Sequence, residues 1–546
     1  MVAARRETSK SANRAVDGVR SPWIPFRHSA FTVIWIATVV ANIGTWMYSA
    51  AAAWLMTTLN ADALMVSLVQ VASTLPMFLF ALPAGALADI VDTRRFLIVV
   101  ETAIAGISVL FAVFVSLGAV TPALLLLFTF LVEAGAALGA PAWQSIVPQL
   151  VPRDDMPEAV AANSVGINIS RAIGPAFGGV ITAAAGIAAP FWINAVSNIG
   201  TIGGLLWWRS SKKRASLPAE RFVSAMRTGV RHARHNAPLR ATLLRAIAFF
   251  VFASAYWALL PLVARVSIAG GAELYGALLG AIGVGALCGA FALPKLKAKL
   301  GADNLVRAGS IGTAASLLLY GIAREPVGAF LGSVIAGMSW IAVLSSLNVS
   351  AQFALPEWVR ARGLAVYVTV FFGAMTLGSG LWGQVARVAG VPAALFIAAA
   401  GMLLAIPITM RWKLQTGATL DLSPSMHWPA PVMSLPLDKD EGPVLVTVEY
   451  RIKAESRNAF LDAIERLGHE RRRDGAYAWG IFEDAASPGR MVETFLVESW
   501  LEHLRQHKRV THADRILQDD VRTLLEDAPR ITHLVAAEGR RGEIRS

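Results

Sequence analysis

The stretch Ala30-Phe-Thr-Val-Ile-Trp-Ile-Ala-Thr-Val-Val-Ala-Asn42-Ile-Gly-Thr-Trp46-Met-Tyr-Ser-Ala-Ala-Ala-Ala-Trp54 runs for 25 residues without a charge. At about 1.5 Å of rise per residue, such a run crosses a hydrocarbon core of roughly 30 Å as a helix. Comparable runs recur at 64–88, 96–117, 122–146, 160–184, 188–208, 240–264, 272–294, 304–323, 327–350, 363–386 and 391–411. Their number, twelve, is even and returns the chain to the side on which it started. The pattern predicts an all-α polytopic membrane protein of twelve transmembrane helices. The polar stretch 1–29 lacks a small-residue cleavage site, so the expectation is a retained cytoplasmic tail and not a signal peptide.

Composition points the same way. Of 546 residues, 55% are apolar and only 16% charged, with a mean hydropathy of +0.54, whereas soluble domains carry roughly 25% charged residues. The single cysteine, Cys288, excludes an internal disulfide framework and a cysteine-ligated metal centre. A secreted, disulfide-stapled protein and a purely cytosolic enzyme are thereby ruled out.

The net charge of +12 is a topology signal. Arginine and lysine crowd the N-terminal tail (Arg5, Arg6, Lys10, Arg14, Arg20, Arg27) and the middle loop (Arg209, Lys212, Lys213, Arg214, Arg221 and four more up to Arg240). The opposite set of loops offers only Arg265, Arg324 and Arg387. Positive loops stay in the cytoplasm, so both termini are expected there, in a bacterial inner membrane. The expected neighbours of these charges are anionic headgroups of the bilayer and not nucleic acid.

The chain also repeats itself. Pro152 recurs as Pro356, Gly174 as Gly378 and Gly179 as Gly383, each 204 residues on. Two parallel six-helix halves, at 30–208 and 240–413, would produce this spacing, joined by a basic loop at 209–239. Such an arrangement marks a carrier more than a channel or receptor.

Where the second run ends, the chain reads Gly85-Ala-Leu87-Ala-Asp89-Ile-Val-Asp92-Thr-Arg94-Arg95. This resembles the loop signature of the major facilitator superfamily, Gly-x-Leu-Ala-Asp-Arg-x-Gly-Arg-Lys. It keeps Gly85, Leu87, Asp89 and Arg94 and departs at Ile90, Asp92 and Thr93. Gly85 would allow close helix approach, and Asp89 can accept charge-assisted hydrogen bonds from Arg94 or from backbone N–H groups. The expectation is a lock on the cytoplasmic side, the alternative an ordinary polar turn.

The fifth run, Asn163-Ser-Val-Gly166-Ile-Asn168-Ile-Ser-Arg171-Ala-Ile-Gly174-Pro175-Ala-Phe-Gly178-Gly179, is similar to the Gly-Pro-x-x-Gly-Gly segment of the exporting, antiporter branch of that superfamily. Gly166, Gly174 and Gly178 form a flat strip for a facing helix, while Pro175 loosens the backbone ladder. Two charges lie near mid-depth, Glu133 in the fourth run and Arg171 in the fifth. Both stand roughly 20 Å from their shared loop, so they could meet. They read either as a proton-coupling pair or as a permanent ion pair fixing two helices. Glu101 reads as an interfacial group. A cavity between the halves needs aromatic walls and few polar anchors. The candidate lining residues are Asn42, Trp46, Asn168, Tyr256, Trp257, Trp340 and Asn348. No row of charges calls for a strongly ionic cargo, which leaves an amphipathic small molecule such as a drug, metabolite or siderophore.

After a Pro-rich linker at 414–443 the composition changes. Val444, Val446, Val448, Tyr450 and Ile452 alternate as a half-buried strand, and Phe460, Ile464 and Leu467 share one helix face. Strand-like runs at 476–484 and 491–498, a long helical region and a strand at 531–536 complete the order β-α-β-β-α-β. This predicts a small α+β, ferredoxin-like cytoplasmic domain over 444–540. That order is similar to the dimeric α/β-barrel group containing antibiotic-biosynthesis monooxygenases. Carrier and tail together look like a superfamily subgroup related to the enterobactin exporters, which implies a possible homodimer through the tail. His503 and His507 are four residues apart and could offer two ligands, but no His-Glu-x-x-His spacing exists, and the expectation is no metal and no catalytic residue. No Gly-x-x-x-x-Gly-Lys-Ser/Thr loop occurs, so the expected energy source is the proton gradient, with no cofactor. The sequence thus predicts a proton-coupled exporter. The alternatives are a proton-driven importer and a membrane-anchored sensor or oxygenase acting through the tail.

Overall fold

A computed structural model describes residues 21–208, 222–416, 421, 423, 425 and 442–536. Six helices come first: α1 (Ser29–Leu59), α2 (Ala63–Ile90), α3 (Thr93–Ser116), α4 (Pro122–Leu150), α5 (Met156–Ala185) and α6 (Ala189–Trp207). A short helix, α7 (Phe222–His235), precedes α8 (Ala237–Leu262), α9 (Ala272–Ile322), α10 (Pro326–Phe353), α11 (Arg360–Ala389) and α12 (Val391–Thr409). Local chemistry sets the boundaries. The Asp62 carboxylate accepts from Leu64 and Met65 N–H to start α2, Asp92 caps α3 and Asn236 caps α8.

Among the described residues, nine helices are long and apolar enough to cross a membrane, against the twelve expected. Two causes account for the difference. The runs at 272–294 and 304–323 join into α9, which breaks only at Gly301, where φ is 73°; glycine adopts that left-handed conformation without a Cβ clash. α5 and α6 have the length, but asparagine, serine and glycine dilute their hydropathy. Those polar groups turn inward in α6, where Asn194 is buried and donates to Ser108 Oγ at 3.2 Å.

The helices sort into two bundles. α1 packs on α5 and α6, α3 on α4 and α6, and α2 on α4; in the second bundle α8 packs on α11 and α12, and α9 on α10 and α12. The bundles meet along two seams, α2 against α11 and α5 against α9. The glycines of the 204-residue repeat do equivalent work at these places. A Cβ on Gly174 would meet Trp46 of α1, and one on Gly378 would meet Ser254 and the Val251 carbonyl of α8. A Cβ on Gly179 would lie 2.7 Å from Gly276 Cα of α9; one on Gly383 would lie 2.5 Å from Ser67 Cβ of α2.

α7 stands where the sequence predicts a loop. Its described part, from Gly229, lies against Arg362, and α7 packs on α11 and α13 (Arg457–Asp474). The remainder of the expected loop up to 221 is outside the described residues, as are most of 1–29 and of 414–443.

The tail forms a four-stranded antiparallel sheet, β1 (Val444–Arg451), β2 (Ala478–Glu483), β3 (Arg490–Val497) and β4 (Arg530–Val535), in the order β2-β3-β1-β4. Val444, Val446, Val448 and Tyr450 face α13, whose Phe460, Ile464 and Leu467 are buried against them. The long helical region divides into α14 (Trp500–Arg509) and α15 (His512–Thr523). A capping box between Thr511 and Asp514 starts the second helix there.

Candidate transport pathway

The two seams are closed at one end and part toward the other. The closed, far end carries the turn at 60–62 and the segment 263–271; the tail end carries α7 and the C-terminal sheet. At the far end Arg387 Nε lies 3.2 Å from Asp62 Oδ2 across the α2/α11 seam. Arg265 donates to Thr57 Oγ1 at 3.0 Å and sits over the Trp54 ring, which stacks on Tyr275 with centroids 6.1 Å apart. Further along, the Thr74 and Thr376 hydroxyls are 2.8 Å apart, and a Cβ on Gly283 would meet Ala172 Cα at 2.6 Å.

Toward the tail end the contacts between the halves run out, later on the α2/α11 seam, where a Cβ on Gly373 would still meet the Phe78 ring at 2.8 Å. Asn168 lies one turn from Ala172 on the same face of α5, yet it is exposed. Leu79 of α2, one position past Phe78, is exposed as well. A Cβ on Gly85 would find nothing within 4 Å, so the expected close approach is not made in this conformation. Among the described residues α4 and α10 do not pack along each other at this end.

The loop motif is only partly legible. The Asp89 side chain lies outside what the structure describes, and Leu87 is half-buried. Arg94 donates from Nε to Leu205 O and from Nη2 to Leu206 O, both at 2.8 Å. It therefore closes the carbonyl end of α6, where a cation suits the helix dipole.

The fifth-run motif finds its facing helix. Gly166 lies against Val39 and Trp35, Gly174 against Trp46 and Gly178 against the Met47 backbone, all on α1. Gly179 turns to α9 instead, and Pro175 is buried within a continuous helix, its carbonyl beside Gly276.

Glu133 and Arg171 do not meet. The Arg171 guanidinium lies 5.5 Å from the Trp46 ring centroid, and its Nε is buried without a hydrogen bond. Glu133 lies one turn from Thr129, whose hydroxyl is 3.5 Å from that of Tyr48; it makes no ion pair with any described residue. Equal depth says nothing about rotation. α4 packs on α2 and α3 while α5 packs on α1 and α9, so the two side chains look into different surroundings. Glu101, near the start of α3, is buried and accepts from Trp143 Nε1 at 2.9 Å.

Of the expected lining residues, Tyr256, Trp257 and Trp340 come together in the second half. Trp340 lies 5.5 Å from Trp257 and 5.3 Å from Phe250, and Phe250 lies 4.4 Å from Phe371. The Tyr256 hydroxyl and the Trp257 N–H make no hydrogen bond of normal geometry. Asn42 and Trp46 are half-buried on α1, while Asn168 and Asn348 are exposed. The far-end group Thr57, Asp62, Tyr275, Arg265 and Arg387 escaped sequence reasoning. Its two arginines read only as loop charges, and the signal was that so few charges of either sign stand in those loops.

The tail is docked to this frame. Arg231 Nη2 of α7 is 3.7 Å from Glu502 Oε1, and Arg509 lies 4.3 Å above the Trp358 ring. Burial opposes ionisation of Glu502, yet Arg509 and Arg231 hold it below its usual range. His232, edge-on to Trp358 at 5.5 Å, is pushed down to about 3 by burial, with Arg473, Arg509, Arg231 and His235 adding to the effect.

A bacterial homologue of the iron transporter ferroportin in an inward-facing state aligns with 70% of this chain and 98% of its own (TM-score 0.57, 13% identity). A POT family transporter in complex with a thioalcohol-conjugated peptide aligns with 70% and 95% (TM-score 0.57, 13% identity). These likenesses show the fold. The staphyloferrin A transporter of Staphylococcus aureus is 24% identical over 48% of this chain and 66% of its own length. The uncharacterized MFS-type transporter YhhS of Escherichia coli is 39% identical over 18% and 24%. The chain thus spans less than two thirds of the length of these curated relatives. The transmembrane secretion effector family matches residues 20–541, nearly the whole chain. With its apolar helices in two bundles, the protein is a multi-pass membrane protein and belongs to that family, within the major facilitator superfamily.

Proposed function

We propose that the protein exports a small amphipathic compound by alternating access, driven by the proton gradient, through twelve spans with both termini cytoplasmic. One observation carries this reading: the two seams are sealed at the far end and lose their contacts toward the tail end, beyond Ala172 on one and Phe78 on the other. Two bundles able to rock about such seams expose a central site to one side at a time. With the tail end cytoplasmic, this conformation is the one that would load cargo from inside. Asn42, Trp46 and Asn168 on one half, and Tyr256, Trp257, Trp340 and Asn348 on the other, would offer aromatic walls and few polar anchors. The name of the Staphylococcus aureus relative supports a siderophore-type cargo within that class.

Glu133 is the proposed proton carrier. It has no fixed cationic partner here, so it is free to exchange a proton as the bundle rocks. Arg171, held against Trp46, would bias the cargo side instead. Asp89 and Arg94 would form the cytoplasmic lock when the seams close there. The tail, read as a ferredoxin-like module without catalytic residues, would regulate or dimerise. Leu445, Leu496, Leu534 and Phe482 share the sheet face opposite α13, which supports a homodimer through that face.

Efflux from energised cells against a panel of siderophores and dyes tests the reading. The parent should show uncoupler-sensitive efflux, Glu133→Gln should bind cargo but lose the pH-driven component, and deletion from Val444 onward should leave transport. Absence of energy-dependent efflux, together with absence of binding to purified protein, would overturn the export assignment. Loss of all activity on deleting the tail would favour the sensor reading.

A further inference from the structure

The tail brings together three histidines that are separated in sequence. His503 and His507 project from one face of α14, and His533 comes from β4, where it pairs with Val446 of β1. One nitrogen from each lies within 4.8 Å of the other two. The Nε2 atoms of His503 and His507 are 3.2 Å apart. Two imidazole nitrogens bound at 2.0–2.1 Å on a tetrahedral ion stand about 3.3 Å apart, so this pair already has the spacing of two ligands. The third requires only side-chain rotation, since the widest separation is 4.8 Å.

The surroundings point to a ligand as well. His503 is 1% exposed and Gln506 2%; the two side chains face each other, and His503 Nδ1 and Gln506 Oε1 make no hydrogen bond of normal geometry. Buried polar atoms without partners cost free energy, and ligating histidines characteristically direct their second nitrogen to an acceptor such as a carbonyl oxygen. Gln506 lies on the same face of α14 as His503 and His507, at i+3 from the first, and can supply that acceptor. Trp500 walls the cluster, 5.4 Å from His503 and 5.9 Å from His533. The arginine whose charge bears on His503 and His507, Arg471, is itself ion-paired with Glu493 at 3.2 Å.

We propose that His503, His507 and His533 form a binding site for one divalent transition ion of the zinc class, with a fourth position left for water. Three neutral imidazoles and no thiolate or carboxylate suit Zn²⁺, Co²⁺ or Ni²⁺ over Ca²⁺ or Mg²⁺. The ion ties α14 to β4. α14 is also the docking helix, because Glu502 and Arg509, which reach Arg231 and Trp358, flank the same histidines. Metal occupancy therefore stiffens the element through which the tail grips the membrane bundles. The proposal stands independently of the direction of transport and of the coupling ion.

The test uses the full chain in detergent, stripped with a chelator and titrated with Co²⁺. One equivalent should bind and give the intense visible bands of tetrahedral cobalt, and Zn²⁺ should displace it. His503→Ala and His533→Ala should each weaken binding by at least about tenfold, and exposed His469→Ala should leave it unchanged. If alanine variants unfold, His507→Gln, which keeps a polar side chain on the half-buried edge, should still abolish the cobalt bands. Absence of stoichiometric Co²⁺ and Zn²⁺ binding by the parent chain, or bands that persist in His507→Gln and His533→Ala, would overturn the site.

Discussion

The two seams that join the halves share a position in the repeat but are built from different chemistry. Between α5 and α9 the backbones themselves touch: Gly179 against Gly276 and Ala272, Ala172 against Gly283. Between α2 and α11 side chains intervene, with Thr74 on Thr376, Ser67 near Gly383 and Asp62 on Arg387. Backbone contact leaves no side chain that can yield, whereas hydroxyls and ions can exchange partners with water. The first seam behaves as a bearing surface and the second as a fastening.

The largest expected effect comes from filling the bearing surface. A leucine at Gly276 would drive carbon into the α5 backbone, costing about 1–3 kcal/mol or more; thermal unfolding of the purified variant should fall accordingly. Gly380→Ala on the other seam should be neutral, since its Cβ would only reach van der Waals contact with Val71 at 3.9 Å. Equal sensitivity of both positions would abolish the distinction. α11 is also gripped from the tail end through α7, and here pH enters. His232 binds a proton more weakly when docked (about 3) than when free (6.5), so its contribution is complete above 6.5 and declines as pH falls from there toward 3. The loss reaches about 1.4 kcal/mol per pH unit, and limited proteolysis of the tail should accelerate below pH 6.5 unless His232 is replaced by Gln.

Smaller still is the threonine pair. A double-mutant cycle over Thr74→Val and Thr376→Val should give a coupling of about 1 kcal/mol. Asp62→Asn should cost least, under about 1 kcal/mol, because the pair is part-exposed. Its effect should disappear at high salt, while the threonine coupling should not.

Much of the membrane part was legible because hydropathy reports spans directly. The run 30–54 became Ser29–Leu59 and 122–146 became Pro122–Leu150. α7 was not, since its polar helix depends on tertiary partners, α11 and α13, for a place to lie. In the tail, alternation at Val444–Tyr450 identified a strand whose neighbours lie far along the chain. Sites fared less well. The glycine strip was readable because helix faces follow from spacing alone. Whether Glu133 reached Arg171 depended on which helix stood beside which, and the histidine cluster depended on β4 bringing in a residue 26 positions beyond His507.

Asp62 is held twice. Its carboxylate accepts from Leu64 and Met65 N–H whether or not Arg387 is present, because those groups belong to its own helix. Were the far ends to separate, the anion would still be solvated by the peptide chain, and Arg387, 55% exposed, would only exchange a carboxylate for water. Parting therefore strands no bare ion. Under the proposed alternating access, opening at this corner leaves Asp62 with both donors of its own helix.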